Sequence, residues 1–288
     1  MDTSTATPLS LLACMAHPSD EAFTIGGTLA FYAGQGVRVH VLFATRGEVG
    51  EMDQGLLKGF KSIAERRTHE AKCATDILGV TGIHFLGYRD SGMPGSPDNQ
   101  HPEAFAAQPV EEAADRLVHH IRRIKPQVVL THDPIGGYKH PDHIALNRAT
   151  QLAFSLAGDP AYATDEPPFK PEKLYYQTMP KGLLRWAVRL GPLLRLDPHH
   201  FGRNGDIDLA QLVEEGDFPI HTRIDCRSVS EIRDAANACH ISQGGASIGR
   251  RGPLAIVRRL LGSTETFMRA IPDAENGLRE SDLFEGVE

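Results

Sequence analysis

Long apolar runs and a basic N-terminus are both missing from this sequence. No stretch of the 288 residues approaches the ~20 consecutive apolar residues that a membrane-spanning helix requires. The first residues carry no basic cluster, and their apolar run is too short for the hydrophobic part of a signal peptide. These absences predict a protein that is not anchored in a membrane and lies in the cytoplasm.

Cysteine is scarce and shows no pairing pattern. The four cysteines are widely spaced and form no CxxC pair; they are Cys14, Cys73, Cys226 and Cys239. This spacing indicates neither a disulfide framework nor a thiolate zinc site. We therefore expect four reduced thiols.

An excess of basic residues is absent as well. The chain has 30 Lys and Arg against 37 Asp and Glu, a net charge of −7. With the two signs interspersed, this argues against binding to duplex nucleic acid, which needs a basic face to neutralise phosphates. A small molecule is the expected partner, and a homo-oligomer is left open.

Alternating strand and helix patterns are what the sequence does contain. An apolar run over 9–15 predicts a buried strand; a helical pattern follows and ends at Gly34 and Gly36, before a β-rich segment over 37–45. Further helices are predicted over 60–78 and 110–125, and further strands in GIHFLG and QVVLTH. Such βαβα units predict an α/β fold with a Rossmann-like, mainly parallel sheet flanked by helices.

The second half of the chain is less regular. We expect residues 1–157 to form the catalytic core, and 158–288 to form substrate loops and a smaller C-terminal tail packed on that core as one domain. The tail is predicted to hold a strand in TRIDC and helices in SEIRDAANACHIS and PLAIVRRLL. The irregular stretches 88–109 and 158–222 are expected to line a ligand crevice, because loops at the carboxyl ends of parallel strands do so.

Two dense groups of histidine and aspartate follow two of the predicted strands. His17 and Asp20 lie in HPSDE, directly after the first strand, and His140, Asp142 and His143 lie in HPDH, after QVVLTH. Both groups leave the same edge of the predicted sheet. Two imidazoles and one carboxylate are the ligands of many catalytic zinc ions, so the pattern favours a metal site over scattered structural histidines.

These motifs, taken in order, resemble the LmbE/PIG-L family of zinc-dependent N-deacetylases, which includes mycothiol-biosynthesis deacetylases and mycothiol conjugate amidases. The similarity covers roughly 9–155, with a weaker echo in ACHISQ. The segments that carry it are AHPSDE, GGTLA, ATRGEVG, ERRTHEAKCATDILGV, LGYRDSG and GGYKHPDH. An ordered series of this kind is far more specific than one short motif.

The resemblance implies a role for each candidate residue. One Zn²⁺ per chain would be held by His17, Asp20 and His143. His140 would stabilise the oxyanion or protonate the departing amine, Tyr138 would polarise the scissile carbonyl, and Asp142 would either orient a histidine or serve as a helix N-terminal carboxylate.

The substrate would be a small N-acetylated amino-sugar conjugate of the N-acetylglucosaminyl type. Neither nucleic acid nor a membrane is an expected partner. The same resemblance makes Glu48, Arg67, Asp90 and His240 candidates for substrate binding. Each has a simpler interpretation as well: a solvated or turn charge for the first three and a structural histidine for His240, which lies near Gln243.

Ser19 departs from the family pattern. The family motif has an aspartate after HP that acts as the general base, and a neutral hydroxyl cannot take that role near neutral pH. Three explanations remain open: an engineered change that slows turnover, a natural variant that uses another base such as Glu21, or a catalytically silent homologue that binds metal and sugar. Glu21 has a competing role as support for the ligands.

Two other enzyme classes fit the sequence poorly. The stretch GASIG matches the nucleophile elbow of α/β-hydrolases, but the last histidine, His240, precedes Ser247, whereas that class places its histidine later in the chain. No G-x-G-x-x-G follows the first strand, which disfavours dinucleotide binding. A metal-dependent amide hydrolase is therefore the prediction.

Overall fold

The predicted alternation of strands and helices is present in a computed structural model, which describes residues 8–178, 185, 188–189, 210, 213, 217–245 and 263–287. Its strands are β1 (Ser10–Met15), β2 (Arg38–Phe43), β3 (Gly82–Phe85), β4 (Val128–Thr131), β5 (Lys173–Thr178), β6 (Thr222–Asp225) and β7 (Thr264–Ile271). Its helices are α1 (Asp20–Gly34), α2 (Ile63–Leu78), α3 (Val110–Ile124), the short α4 (Gly136–Lys139), α5 (Pro141–Ala157) and α6 (Ser230–Cys239).

One mixed sheet organises these elements. Its strand order is β3-β2-β1-β4-β5-β7-β6; the first five strands are parallel, and β7 runs antiparallel to both of its neighbours. The chain winds outward from β1 through β2 to β3, and from β4 to β5 in the opposite direction. The sheet therefore has a topological switch point between β1 and β4, where open α/β sheets form their ligand crevices.

The sheet separates two apolar cores. All six residues of β1 are buried, and its side chains alternate between the two sides. Leu11 and Met15 pack with residues of α1 and α2, whereas Leu12 and Cys14 pack with residues of α3 and α5. Burial on both faces explains why the strand is a continuous apolar run rather than an alternating one.

The predicted helix ends have identifiable causes. The Ser62 hydroxyl accepts the Glu65 N–H at 3.1 Å and caps the start of α2, which ends at Gly79 with a φ of 76°. α3 ends just before Pro126, which cannot continue a helix. No helix among the described residues is both long and apolar enough to cross a membrane.

Two strands lie where the sequence indicated none. β5 falls inside the stretch 158–222 that was predicted to be irregular, and β7 follows the predicted last helix. Both strands complete the sheet, so the segment 158–288 supplies β5, β6 and β7 to the sheet that the first segment begins. The helix predicted in PLAIVRRLL lies outside the described residues.

The expectation of four reduced thiols is wrong for two of them. Cys73 in α2 and Cys239 at the end of α6 form a disulfide, with a Cα–Cα distance of 5.9 Å. The pair is separated by 166 residues in sequence and is brought together because α6 packs against α2. Spacing rules could not find it, because only tertiary packing places these two cysteines side by side. Cys14 and Cys226 remain free and buried.

The disulfide is expected to stabilise the fold by restricting the unfolded chain. Replacement of Cys73 by serine should lower the free energy of unfolding by about 2–4 kcal/mol. Thermal unfolding with and without a reductant tests this. Reduction should lower the Tm of the unmodified protein to that of Cys73→Ser and leave the variant unchanged; a Tm of the unmodified protein that does not respond to reductant would contradict the pairing.

Candidate metal centre

The candidate metal centre lies at the switch point between β1 and β4. His17 lies two residues after the end of β1, and Asp20 is the first residue of α1. His132 follows β4, while His143 projects from the first turn of α5. The two motifs are far apart in sequence, but adjacent parallel strands end at the same edge of the sheet and bring them together.

The Asp20 carboxylate is the centre of this cluster. Its Oδ2 atom lies 3.5 Å from His17 Nδ1, 3.4 Å from His143 Nε2 and 3.5 Å from His132 Nε2. The same oxygen accepts the His17 backbone N–H at 2.9 Å, which closes the HPSD turn. Three imidazole nitrogens and one backbone N–H therefore surround one carboxylate oxygen.

Several triads of side chains could supply three metal ligands. Within each of them, all ligand atoms lie within 4.8 Å of one another; they are His17, His140 and His143; Asp20, His132 and His143; and His17, Asp90 and Asp142. His143 belongs to the first two. Its Nε2 atom is buried and makes no hydrogen bond, although the Asp20 oxygen is close. An orphaned imidazole nitrogen beside a carboxylate and further imidazoles fits a divalent metal ion, because buried polar atoms are otherwise satisfied.

Asp142 orients His17. The Asp142 Oδ2 atom accepts a hydrogen bond from His17 Nε2 at 3.0 Å and another from the Ser91 N–H at 3.0 Å, and the Ser91 hydroxyl donates to Oδ1. With Nε2 engaged, His17 Nδ1 faces Asp20. Asp142 also lies in the first turn of α5, so the two interpretations of this residue are compatible.

Charges within the cluster are strongly coupled. Burial disfavours the charged form of His17, but the carboxylates of Asp90, Asp142 and Asp20 outweigh burial and raise its pKa to about 10. Burial and the neighbouring His132 lower the pKa of His143 to about 4. In the metal-free cluster, His17 is therefore cationic and His143 neutral at neutral pH.

The pKa values of Asp20 and His140 are both lowered. Burial alone would raise the pKa of Asp20, whereas it lowers that of His140. Burial opposes ionisation of Asp20, but His143, His132 and His17 hold the pKa of its carboxyl well below its usual range. For His140, burial comes first, and the neighbouring imidazoles of His17 and His143 add to it; together they lower the pKa to about 2. Asp20 is thus a carboxylate, and His140 a neutral imidazole.

A tight turn sets the approach of His140 and Tyr138. Asp133 accepts the N–H groups of Ile135 and Gly137, each at 3.0 Å, and so holds the start of α4. Gly136 has a φ of 71°, and a Cβ there would lie 3.1 Å from the His143 Cβ and 2.8 Å from the Ile144 side chain. Glycine at this position therefore allows the turn to pack closely against α5.

A cavity of about 620 Å³ opens onto the cluster. Among the predicted residues, the ones that line it are His17, Ser19, Asp20, Arg67, Asp90, Tyr138 and His140, and Gln243 lines it as well. Its wall also includes Val49, Glu51, Met93 and Asp98. This volume falls within the roughly 300–1,000 Å³ that is typical of small-molecule sites.

Two of the predicted substrate residues lie elsewhere. Glu48 does not line the cavity, and its carboxylate accepts the Arg46 backbone N–H at 3.0 Å. His240 is fully buried and donates to Glu21 at 2.7 Å. The prediction that His240 reaches the cleft does not fit this burial, because no substrate atom can contact a side chain without exposed surface.

Arg67 and Asp90 border the cavity but are largely engaged by the protein. The Arg67 guanidinium donates to the carbonyl oxygens of Gly47 at 3.1 Å and Pro18 at 2.5 Å, and its Nε atom is buried without a partner. Asp90 Oδ1 accepts the Gly92 N–H at 2.8 Å. Both residues therefore hold the loops around the cavity in place and also form part of the cavity surface.

His132 and Ser91 are the residues that sequence reasoning missed. His132 accepts the Ala16 N–H at 3.0 Å and stacks on His143 with ring centroids 3.8 Å apart. Its place at the end of β4 was the available signal, because the other cluster residue, His17, also lies just after a strand. Ser91 had no such signal, since its role depends on how the loop after β3 returns to Asp142.

Comparisons with known proteins agree with this geometry. Residues 12–154 match the profile of the PIG-L family, described as GlcNAc-PI de-N-acetylase. The chain is 36% identical to 1D-myo-inositol 2-acetamido-2-deoxy-alpha-D-glucopyranoside deacetylase of Streptomyces scabiei (strain 87.22), with 96% of this chain and 89% of the relative covered. It is also 36% identical to the deacetylase of the same name from Acidothermus cellulolyticus (strain ATCC 43068 / DSM 8971 / 11B), covering 97% and 95%.

A solved structure supports the fold alone. The 4-carboxy-2-hydroxymuconate hydratase GalB from Pseudomonas putida KT2440 superposes with a TM-score of 0.61 at 21% identity, over 94% of this chain and 99% of the other. The reaction in its title differs from deacetylation, so this architecture by itself does not specify a reaction.

Metal binding should depend on pH through His17. Because the pKa of His17 is raised to about 10, this imidazole is protonated at neutral pH, and a metal that takes its nitrogen must displace one proton. The affinity for Zn²⁺ should therefore rise roughly tenfold per unit between about pH 6 and pH 8, as measured by competition with a chromophoric chelator. His143→Ala is the control and should lose tight binding at every pH. A pH-independent Kd in the unmodified protein would contradict this assignment.

Proposed function

This chain belongs to the PIG-L family of de-N-acetylases, and we propose that it hydrolyses the acetamide of an N-acetylglucosaminyl conjugate with the help of one zinc ion. The relatives named above act, by their names, on an acetamido sugar joined to inositol, and we propose the same substrate class here. The observation that carries the proposal is the orphaned His143 nitrogen, which is buried next to Asp20, a residue that lines the cavity.

We propose His17, Asp20 and His143 as the ligands. When bound, zinc would act as a Lewis acid toward the acetyl carbonyl and toward water. His140 is the competing ligand, because its ring also lies within the cluster. The choice of Asp20 over His140 is supported by the three imidazoles that face the Asp20 carboxylate and keep it ionised.

His140 is suited to stabilise the developing oxyanion. Its Nδ1 atom accepts the Asp142 N–H at 3.2 Å, so the neutral ring carries its proton on Nε2 and can donate from there. A pKa of about 2 disfavours a role as a proton carrier, because the ring would hold a second proton only briefly. Between the two roles inferred from the family, the contacts favour hydrogen-bond donation to the oxyanion.

Tyr138 and the opposite wall of the cavity would position the substrate. Tyr138 lies next to His140 and His143, with ring centroids 5.8 and 5.3 Å away, and would polarise the acetyl carbonyl from the other side. Asp90 and Arg67 lie at the cavity surface, where sugar hydroxyls would meet charged partners. We propose that Glu48 and His240 support the loops instead of contacting the sugar.

Ser19 supports a second candidate, a silent homologue that binds metal and sugar. Ser19 lines the cavity beside the ligands, at the position of the family's general base. Glu21 is a poor substitute base, because it is fully buried and both of its carboxylate oxygens are engaged, one by His240 at 2.7 Å and one by the Ser19 N–H at 2.8 Å. Acetate release from an N-acetylglucosaminyl-inositol substrate, compared with a metal-stripped sample, distinguishes the enzyme from the binder.

Removal of the His140 ring should slow turnover without removing the metal. Because oxyanion stabilisation belongs to the transition state, His140→Ala should lower kcat by about 10²-fold or more. Elemental analysis of the same samples measures metal content. A variant that has lost its zinc would show that His140 is a ligand, as one of the candidate triads allows.

Restoring a carboxylate at position 19 should raise activity. A positioned general base contributes typically ~10²–10⁴-fold, so Ser19→Asp should deacetylate faster than the unmodified protein by a factor in that range. Ser19→Asn is the matched control, since it has the same shape as aspartate and cannot act as a base. Equal rates for the unmodified protein and both variants, at equal zinc content, would show that the base does not belong at this position.

A further inference from the structure

Ser19 has a backbone conformation that a serine rarely adopts. Its φ is 102° and its ψ is −27°, in the left-handed region that favours glycine. The Ser19 side chain makes no capping hydrogen bond to α1, so it does not stabilise this conformation itself. Such strain persists only where the surrounding structure holds it.

Glu21 provides the main support from within the turn. Its Oε2 atom accepts the Ser19 N–H at 2.8 Å, and its Oε1 atom accepts from His240 Nε2 at 2.7 Å. Glu21 and His240 are both fully buried. A buried carboxylate with both oxygens engaged has little freedom to move, so it fixes the direction of the residue 19 amide.

His240 is itself anchored by the segment that contains it. The preceding residue, Cys239, is bonded covalently to Cys73 in α2. Two residues later, Ser242 donates its N–H and its hydroxyl to Glu70 of α2, at 3.0 and 2.6 Å. The segment 239–242 is thus fastened to α2 on both sides of His240, and the position of its imidazole is determined by that helix.

The other side of the turn is fastened to the same helix. Arg67 of α2 donates to the Pro18 carbonyl, one residue before Ser19. Two contacts therefore hold the turn at position 19. Arg67 binds the Pro18 carbonyl, and Glu21, which is itself bound by His240, accepts the Ser19 N–H.

We propose that Glu21 and His240 are positioning residues, which hold residue 19 in its left-handed conformation so that its side chain faces the metal cluster. Neither residue lines the cavity, so they act through residue 19 and not on the substrate. The proposed control of the residue 19 conformation rests on these contacts alone. The expected change in turnover rests in addition on the proposed function.

Hydrogen exchange of the residue 19 amide in the metal-free protein tests the positioning directly. Glu21→Leu removes both acceptor oxygens and should make that amide exchange at least about tenfold faster. Glu21→Gln keeps an oxygen for the Ser19 N–H and should retain the protection. His240→Phe keeps an aromatic ring next to Phe23 but removes the hydrogen-bond donor, and should give an intermediate exchange rate.

The matched control is another buried carboxylate outside the cavity. Glu280 accepts from Lys173, Tyr175 and Thr222, none of which lines the cavity. Glu280→Leu should lower the Tm and leave the exchange at residue 19 unchanged. If Glu21→Leu does not fold, His240→Phe provides the same comparison with the control.

Kinetics in the Ser19→Asp background test whether the position of residue 19 affects turnover. Glu21→Leu should lower kcat by about 10²-fold with zinc content and KM nearly unchanged, because a misplaced base affects the chemical step, and Glu21→Gln should rescue it. Faster exchange without activity in any variant would support the positioning and refute the proposed function. Exchange at residue 19 that is unchanged in both Glu21→Leu and His240→Phe would overturn the positioning.

Discussion

The adjacency of β1 and β4 is the constraint on which the site depends. The chain continues from β1 to β2 on one side and from β4 to β5 on the other, and this reversal creates a crevice between the carboxyl ends of β1 and β4. Their register pairs Leu11 with Val128 and Ala13 with Leu130, so β1 and β4 end close to each other, and His17 and His132 follow at the same edge of the sheet. The short polar segments after β1 and β4 therefore need only a few residues to bring His17, Asp20 and His132 together.

The cluster that forms there carries more negative charge than a proton can balance. His17 touches three carboxylates, those of Asp142 at 3.0 Å, Asp20 at 3.5 Å and Asp90 at 3.6 Å. These raise the pKa of His17 to about 10, so the metal-free protein compensates with one cationic imidazole. A divalent ion would supply twice that charge at the same place, and it would also give the orphaned His143 nitrogen a partner. The carboxylates that raise the pKa of His17 would therefore also favour replacement of its proton by a metal ion.

Sequence patterns predicted the elements and the metal motifs because both depend on short-range chemistry. The buried run in β1, the helix ends at Gly79 and Pro126, and the HPSDE and HPDH groups are all local features. The missed features depend on distant pairing: β5 and β7 join the sheet, and Cys73 meets Cys239, only through the packing of the second half of the chain. His240 is the clearest case, because the local sequence cannot distinguish a histidine that faces a cleft from one buried against Glu21.

Within the site, ligand placement and base placement have different physical support. The proposed ligands lie just after a strand or in the first turn of a helix. Asp20 and Asp142, the residue that orients His17, are held by the backbone N–H groups of His17 and Ser91. Residue 19 instead occupies a strained turn whose shape depends on Glu21, His240 and a segment more than two hundred residues away. A change at position 19 can therefore alter acid–base chemistry while the metal cluster stays intact. This separation explains how a chain can combine a complete set of candidate ligands with a serine at the position of the base.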